Sequence, residues 1–310
     1  MNRRECKLLP HISQPLYGLS PHDIQFLPWA IKRFDIQEAW RYSQGENVTV
    51  AVIDTGCDLT HNDLQDNLLS GKNFVDNNNN PQDVNGHGSH VAGTIAAIDN
   101  SYGMVGVAPK AKIIPIKSLG DNGSGSMRDV ANGVMWAVDH GAELITMSLG
   151  SPYPSRALEH ALRYAVDNKV IVFCAAGNSG NSTDVNYPAK FLETIAIGSI
   201  NHALGVSDFS CCGNTLDFVS PGEDVISAAP GNRYARLTGT SMATPYAVGC
   251  AALLLSLRKK QNRNIKLKHK NGYIEEFSEN AIPLQDKYAG DKRYQGNGII
   301  VPKIWLTPSA

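Results

Sequence analysis

Val48-Thr-Val-Ala-Val-Ile-Asp-Thr-Gly56 is an apolar, β-branched run closed by a carboxylate and a glycine. It lacks the every-second-residue polarity of a half-exposed strand, so it reads as a strand buried on both faces. Similar runs at 113–117, 143–148, 170–175 and 194–199 read as further strands. Stretches at 87–98, 127–140, 154–168 and 241–257 read as helices set between and after them. Strands alternating with helices predict an α/β fold of three layers, a mainly parallel sheet with helices on both faces. Such a sheet binds ligands at the carboxyl ends of its strands. Asp54 ends one strand, Ser148 another, and Asn178 follows a third, so one edge is expected to gather the polar residues of interest.

The chain has 310 residues, within reach of one large domain, and a net charge of −1. That balance gives no reason to expect nucleic acid or a membrane surface as partner. The basic run 258–270 has no interleaved aromatics and reads as a solvated helix end and surface loop; the Asn-rich stretch 76–83 reads as a solvated loop. Met1-Asn-Arg-Arg-Glu-Cys has no apolar stretch behind its basic residues, so no signal peptide is expected, and no run of about 18 apolar residues suggests a membrane span. Six scattered cysteines fit reduced, buried thiols and a cytosolic location better than a disulfide framework; Cys211-Cys212 lacks neighbours for a zinc site.

Gly239-Thr-Ser-Met-Ala-Thr-Pro245 runs into a long apolar block. Alone, Ser241 would be a helix cap. Two other stretches change that reading, because a serine hydroxyl becomes a nucleophile when an imidazole takes its proton and a carboxylate fixes the imidazole. Asp54 supplies the carboxylate, and His87 of Asn85-Gly-His-Gly-Ser-His-Val-Ala-Gly93 the imidazole. His90 is expected to be a packed helix histidine. A metal reading of His87 and His90 lacks the accompanying Glu pattern. An esterase would show a Gly-x-Ser-x-Gly elbow and the order Ser, Asp, His; neither is present.

The order Asp, His, Ser and these motifs resemble the subtilisins, and in detail the intracellular subtilisins of Bacillus-type bacteria, over about residues 25–302. The resemblance implies a cytoplasmic serine endopeptidase of broad specificity, acting on proteins and peptides through Asp54, His87 and Ser241. A non-catalytic relative would have lost one of these. Asn178, in Cys174-Ala-Ala-Gly-Asn-Ser-Gly180, matches the oxyanion donor. Gly123-Ser124-Gly125 and Ser148-Leu149-Gly150 match the segments that flank an extended substrate. Ala175, Ala176, Gly177 and Asn186 would line the primary pocket, Met127 and Val130 a more distant apolar one.

The loop Ile98-Asp-Asn-Ser-Tyr-Gly-Met104 offers carbonyls suited to a hard cation. In the resemblance, Gln25, Asp63 and Asn100 join the carbonyls of Ile98, Tyr102 and Met104 around Ca2+. Residues 1–22 match a short inhibitory extension ahead of a peptidase domain at 23–310, with Leu8, Leu9, Pro10 and His11 at the inhibitory motif. A homodimer is a further implied possibility. Two departures stand out: His11 replaces a tyrosine of that motif, and Tyr246 replaces a histidine after Pro245.

Overall fold

A computed structural model describes residues 5–16, 25–263 and 265–302; the remaining parts of the extension, 1–4 and 17–22, lie outside the described residues. Its centre is a seven-stranded sheet. In spatial order the strands are Phe218–Pro221, Thr194–Ile200, Ile171–Ala175, Leu144–Met147, Thr49–Asp54, Lys112–Lys117 and Lys72–Asn73, and every pairing is parallel. Five of these follow the apolar runs of the sequence to within a residue or two. The outer two, Phe218–Pro221 and Lys72–Asn73, did not announce themselves: four and two residues are too few to set a period.

Helices Met127–Asp139 and Arg156–Asp167 pack on each other, and both touch the sheet; Ser126 and Ser155 cap them by accepting from the Asp129 and Leu158 N–H groups. Helices His87–Ala96 and Thr240–Lys260 form the other layer and also pack together. Thr240–Lys260 is long and apolar enough in composition to cross a bilayer, yet its residues from Thr240 to Leu257 are all buried inside the fold, making it a core helix. Pro245 is the sixth residue of this helix, and the Ser241 carbonyl that its missing N–H would leave unmet accepts from Ser148 Oγ at 3.0 Å instead. The basic run ends this helix at Lys260 and crosses a mostly exposed connection, with a short 3-10 turn at Lys266–Lys268, to a helix at Lys270–Ser278, a helix end and surface loop as expected. Tyr273 and Phe277 of that helix are fully buried, which anchors it.

Two antiparallel sheets of three strands complete the fold, and each takes one strand from the N-terminal segment. Glu5–Leu8 lies between Ser124–Ser126 and Leu149–Gly150, and Ile12–Leu16 adds to the edge of Arg233–Thr238, itself paired with Val225–Ala229. All six cysteines are unpaired, and Cys212 alone is not fully buried.

Candidate active site

Asp54 closes its strand at the carboxyl edge, and His87 opens its helix opposite. Their side chains are 1% exposed, and His87 Nδ1 stands 2.8 Å from Asp54 Oδ1. The same oxygen accepts from the Thr55 N–H at 2.8 Å, so the carboxylate is held from two sides. The imidazole is thereby oriented with Nε2 free to take a proton, and this atom is buried without a protein partner among the described residues. Gly86 holds φ at 103°, a left-handed turn that a side chain would strain, immediately before His87.

A second carboxylate holds the helix from below. Asp83 Oδ1 accepts from Thr55 Oγ1 at 2.9 Å and Gly86 N at 3.0 Å, and Oδ2 from Ser89 N at 2.9 Å and Ser89 Oγ at 2.7 Å. Thr55 Oγ1 in turn accepts from Gly88 N at 2.9 Å. A buried anion at a helix N-terminus is favourable, and here it also fixes His87 relative to Asp54. Asp83 corrects the reading of 76–83 as solvated: Asn77 to Asn80 are exposed, but Asp83 is 1% exposed. A run of asparagines masked a carboxylate that answers the following Gly-His-Gly.

Ser241 is fully buried in the first turn of Thr240–Lys260. Its Oγ donates to the Ser148 carbonyl at 3.2 Å, while Ser148 Oγ donates to the Ser241 carbonyl at 3.0 Å. The hydroxyl is therefore bonded to Ser148, not to His87, whose Nε2 has no hydrogen-bond partner among the described residues. Asn178 accepts through Oδ1 from Thr240 N at 2.9 Å and Thr240 Oγ1 at 2.7 Å, which aims its NH2 into the cleft. That group donates to the carbonyl of Pro10 at 2.6 Å. Gly239 is required beside it, since a Cβ there would lie 2.9 Å from Asn178 Nδ2.

The N-terminal segment runs through this cleft. Cys6 faces Gly125, Lys7 faces Gly150, and Leu8 N donates to Gly123 O at 2.8 Å. The Leu9 side chain is 4% exposed and abuts Gly150, whose added Cβ would stand 2.5 Å from Leu9 Cδ2 and 3.6 Å from Asn186 Cβ. Asn186 N donates to Ala176 O at 2.8 Å, and a Cβ on Gly177 would meet Asn186 Nδ2 at 2.5 Å, so Ala175 to Gly177 and Asn186 form one wall. Cys211, overlooked in the sequence, backs that wall: its Sγ lies 2.8 Å from where the same Cβ on Gly177 would stand. Met127, Val130 and Leu149 are all buried, and Ser124 is exposed. The His11 ring lies against the His87 ring, centroids 5.1 Å apart.

His90 is a packed residue. Its Nε2 lies 3.0 Å from the Val225 carbonyl, and burial pushes its pKa down to about 3, so it is neutral in the core. Tyr246 packs its buried ring on Phe34, centroids 5.9 Å apart.

Across the fold, the oxygens expected of a cation site are neighbours. Asp63 is fully buried; Asn100 Nδ2 donates to Oδ1 at 3.1 Å, and Met104 N and Tyr234 OH donate to Oδ2 at 2.9 and 2.8 Å. Gln25 Nε2 reaches the Ile98 carbonyl at 3.1 Å, and Tyr102 N donates to Asn100 Oδ1 at 3.2 Å. Gly103 must be a glycine, because a Cβ would lie 2.5 Å from Asp63 Oδ2. The chemistry of this set, one carboxylate, two amides and backbone carbonyls, suits a hard cation, but the NH2 groups of Gln25 and Asn100 face the Ile98 carbonyl and the Asp63 carboxylate, so both amides would have to turn their oxygens inward to hold one.

Comparison with known proteins converges on one family. The sequence model of the subtilase family matches residues 45–298. The major intracellular serine protease of Bacillus subtilis (strain 168) is 41% identical over 266 residues, 83% of this chain and 82% of the relative. The intracellular serine protease of Paenibacillus polymyxa is 41% identical over 239 residues, 74% and 73% of the two chains. Subtilisin Savinase of Lederbergia lenta is 46% identical over 231 residues, 74% of this chain and 84% of that one.

Proposed function

We propose that this chain, which belongs to the subtilase family of serine proteases, is a calcium-stabilised intracellular endopeptidase held shut by its own N-terminal segment. It is a hydrolase of peptide bonds by family. The geometry supports the following roles for individual residues. Ser241 Oγ, rotated off the Ser148 carbonyl, attacks the substrate carbonyl as His87 Nε2 takes its proton. Asp54 holds the imidazole through Nδ1 and balances the imidazolium that forms. The developing oxyanion is met by Asn178 Nδ2 and by the Ser241 N–H, one of the first-turn donors without an intrahelical partner. His87 then hands its proton to the leaving amine, and water, activated the same way, releases the acyl group.

The observation that carries the reading is the Pro10 carbonyl on Asn178: the site grips a peptide carbonyl where an oxyanion would form. It also supports the latch. Leu9 fills the pocket beside Gly150 and Asn186, but the carbonyl on the donor belongs to the next residue. Side chain and carbonyl come from different residues, so neither peptide bond is presented for attack. Pro10 also lacks an N–H and stiffens the bend.

Calcium would be held by Gln25, Asp63 and Asn100 with the carbonyls of Ile98, Tyr102 and Met104, where it would tie the segment before Phe26 to the loop after His87–Ala96. Its part is structural, since binding to the folded state alone stabilises that state. The names of the two intracellular relatives support a cytoplasmic location. The test compares hydrolysis of a chromogenic peptide, in calcium, by the full chain and by a form beginning at residue 19. Activity that rises on truncation and vanishes with Ser241→Ala upholds the reading; equal activity of the two forms refutes the latch, and none in either refutes the protease.

A further inference from the structure

The strand Arg233–Thr238 has one permanent neighbour, Val225–Ala229, and one borrowed neighbour, Ile12–Leu16. Ile12 faces Thr238, Ser13 faces Leu237, Gln14 faces Arg236, Pro15 faces Ala235 and Leu16 faces Tyr234. Ile12 to Pro15 are exposed, and Leu16 is half-buried. The borrowed strand is therefore held by its backbone more than by pockets. An edge that grips backbone accepts another extended chain of different sequence.

Arg236 lies in the middle of that edge. It is half-buried, its Nε is wholly buried without a hydrogen-bond partner, and it forms no ion pair among the described residues. Its cross-strand neighbours are Ile226 on one side and Gln14 on the other, one apolar and one neutral. Arg233, on the same strand, spends its Nε on the Pro230 carbonyl at 3.0 Å and likewise has no carboxylate among the described residues. A guanidinium with a buried, unmet donor is costly, and a carboxylate placed opposite satisfies it in a charge-assisted bond. Residues directly opposite on antiparallel strands bring their Cβ atoms to about 5 Å, within reach of such a pair.

The polypeptide path fixes where that carboxylate must be. With the Pro10 carbonyl on Asn178, the residue opposite Arg236 is the fourth one after the residue whose carbonyl is gripped. We propose that, once Ile12–Leu16 has left, the Arg233–Thr238 edge docks the departing half of the substrate as an added strand. In that complex Arg236 selects an acidic side chain at the fourth position after the cleaved bond. The proposal rests on Asn178 gripping the scissile carbonyl, and it deepens the protease reading by adding a preference that the primary pocket cannot express. It also requires substrate that is extended for about five residues beyond the cut, a property of unfolded or nicked proteins.

The full chain can test this directly. Two peptides differing only in Glu or Lys at the fourth position after the bond compete in one tube, so their ratio of kcat/KM is independent of how much enzyme is open. We expect roughly tenfold preference for Glu, its loss when the Glu is moved one residue either way, and inversion in Arg236→Glu. A ratio near one, or a preference that survives Arg236→Glu, overturns the proposal. A shorter peptide ending two residues after the bond separates the two levels: cleavage of it without a Glu preference in the longer pair sinks the docking strand but spares the protease. No cleavage of any peptide, by the full chain or by the form beginning at residue 19, sinks both. A second measurement needs no turnover: in Ser241→Ala full chain, Gln14→Glu should slow amide exchange across Ile12–Leu16 and Gln14→Lys should speed it. Adding Arg236→Glu should exchange the two effects. Unchanged exchange in both Gln14 variants overturns the pairing.

Discussion

The seven-stranded sheet and the two borrowed strands are both built of backbone hydrogen bonds, yet they are held in different ways. Every residue of Leu144–Met147, Ile171–Ala175 and Thr194–Ile200 is buried. In Glu5–Leu8 one residue in four is buried, and in Ile12–Leu16 none is. The central sheet is locked by side chains on both faces. The borrowed strands are locked by ladder bonds, by Leu9 in its pocket and by the Pro10 carbonyl on Asn178. A part packed on both faces carries the cleft, and a part held mainly by backbone bonds covers it.

The sharpest way to break that contrast is at Ser241. Ser241→Ala or His87→Ala should abolish hydrolysis, a loss of about 10⁶ in kcat by a magnitude taken from subtilisins themselves. Both variants should keep their thermal unfolding, and undiminished turnover in either would dismiss the triad. Asn178→Ala comes next, with an expected fall of about 10²–10³ in kcat, a figure that also originates in this family. The same change removes the grip on Pro10, so amide exchange in the borrowed strands should quicken; a variant with normal kcat would discard Asn178 as the oxyanion donor. Leu9→Ala deletes most of a buried apolar side chain, worth about 2 kcal/mol of docking, so peptide hydrolysis by the full chain should rise roughly thirtyfold. No rise would mean that Leu9 is not the anchor.

The smaller effects concern conditions. Chelating calcium should lower the melting temperature by several degrees, the scale of about 1–2 kcal/mol for a chain of this size. An unchanged melting temperature after full metal removal would discard the cation site. The smallest effect expected is one of pH. Burial, then the neighbouring His87 ring, hold the His11 pKa below the ordinary histidine value, against the opposite pull of the Leu9 carbonyl and Asp54. Docking thus keeps His11 neutral: its contribution is complete above the ordinary value of about 6.5 and is lost as pH falls through the lowered one. Acidification across that window should lower the amide protection factors, taken relative to the intrinsic exchange rate at each pH, in Ile12–Leu16 of Ser241→Ala protein, and His11→Leu should flatten the slope. An unaltered slope would assign it to another group.

Much of this was written locally in the chain. Continuous apolar runs revealed five strands because burial on both faces demands them. Gly86, Gly88 and Gly239 flagged His87 and Ser241 because backbone must come close there, as the contacts a Cβ would make at each of them attest. What escaped was information held by partners. Ile12–Leu16 has no period of its own and contains Pro15, since its pairing is supplied by Arg233–Thr238. Asp83 hid among asparagines because its meaning lies in Thr55 and Ser89. The turn of the Ser241 hydroxyl toward Ser148 is a rotamer, which no residue pattern encodes.

The ladder between Ile12–Leu16 and Arg233–Thr238 has one more consequence. Only eight residues, 17–24, join Leu16 to Gln25. Such a short tether confines the covering strand at an effective concentration of about millimolar, so even a feeble ligand wins against most free peptides. Cutting the tether changes no contact in the cleft. It turns an intramolecular competitor into a dilute one, whose affinity then counts at its bulk concentration. Opening the proposed latch would then need no rearrangement of the cleft, only dilution of the released segment.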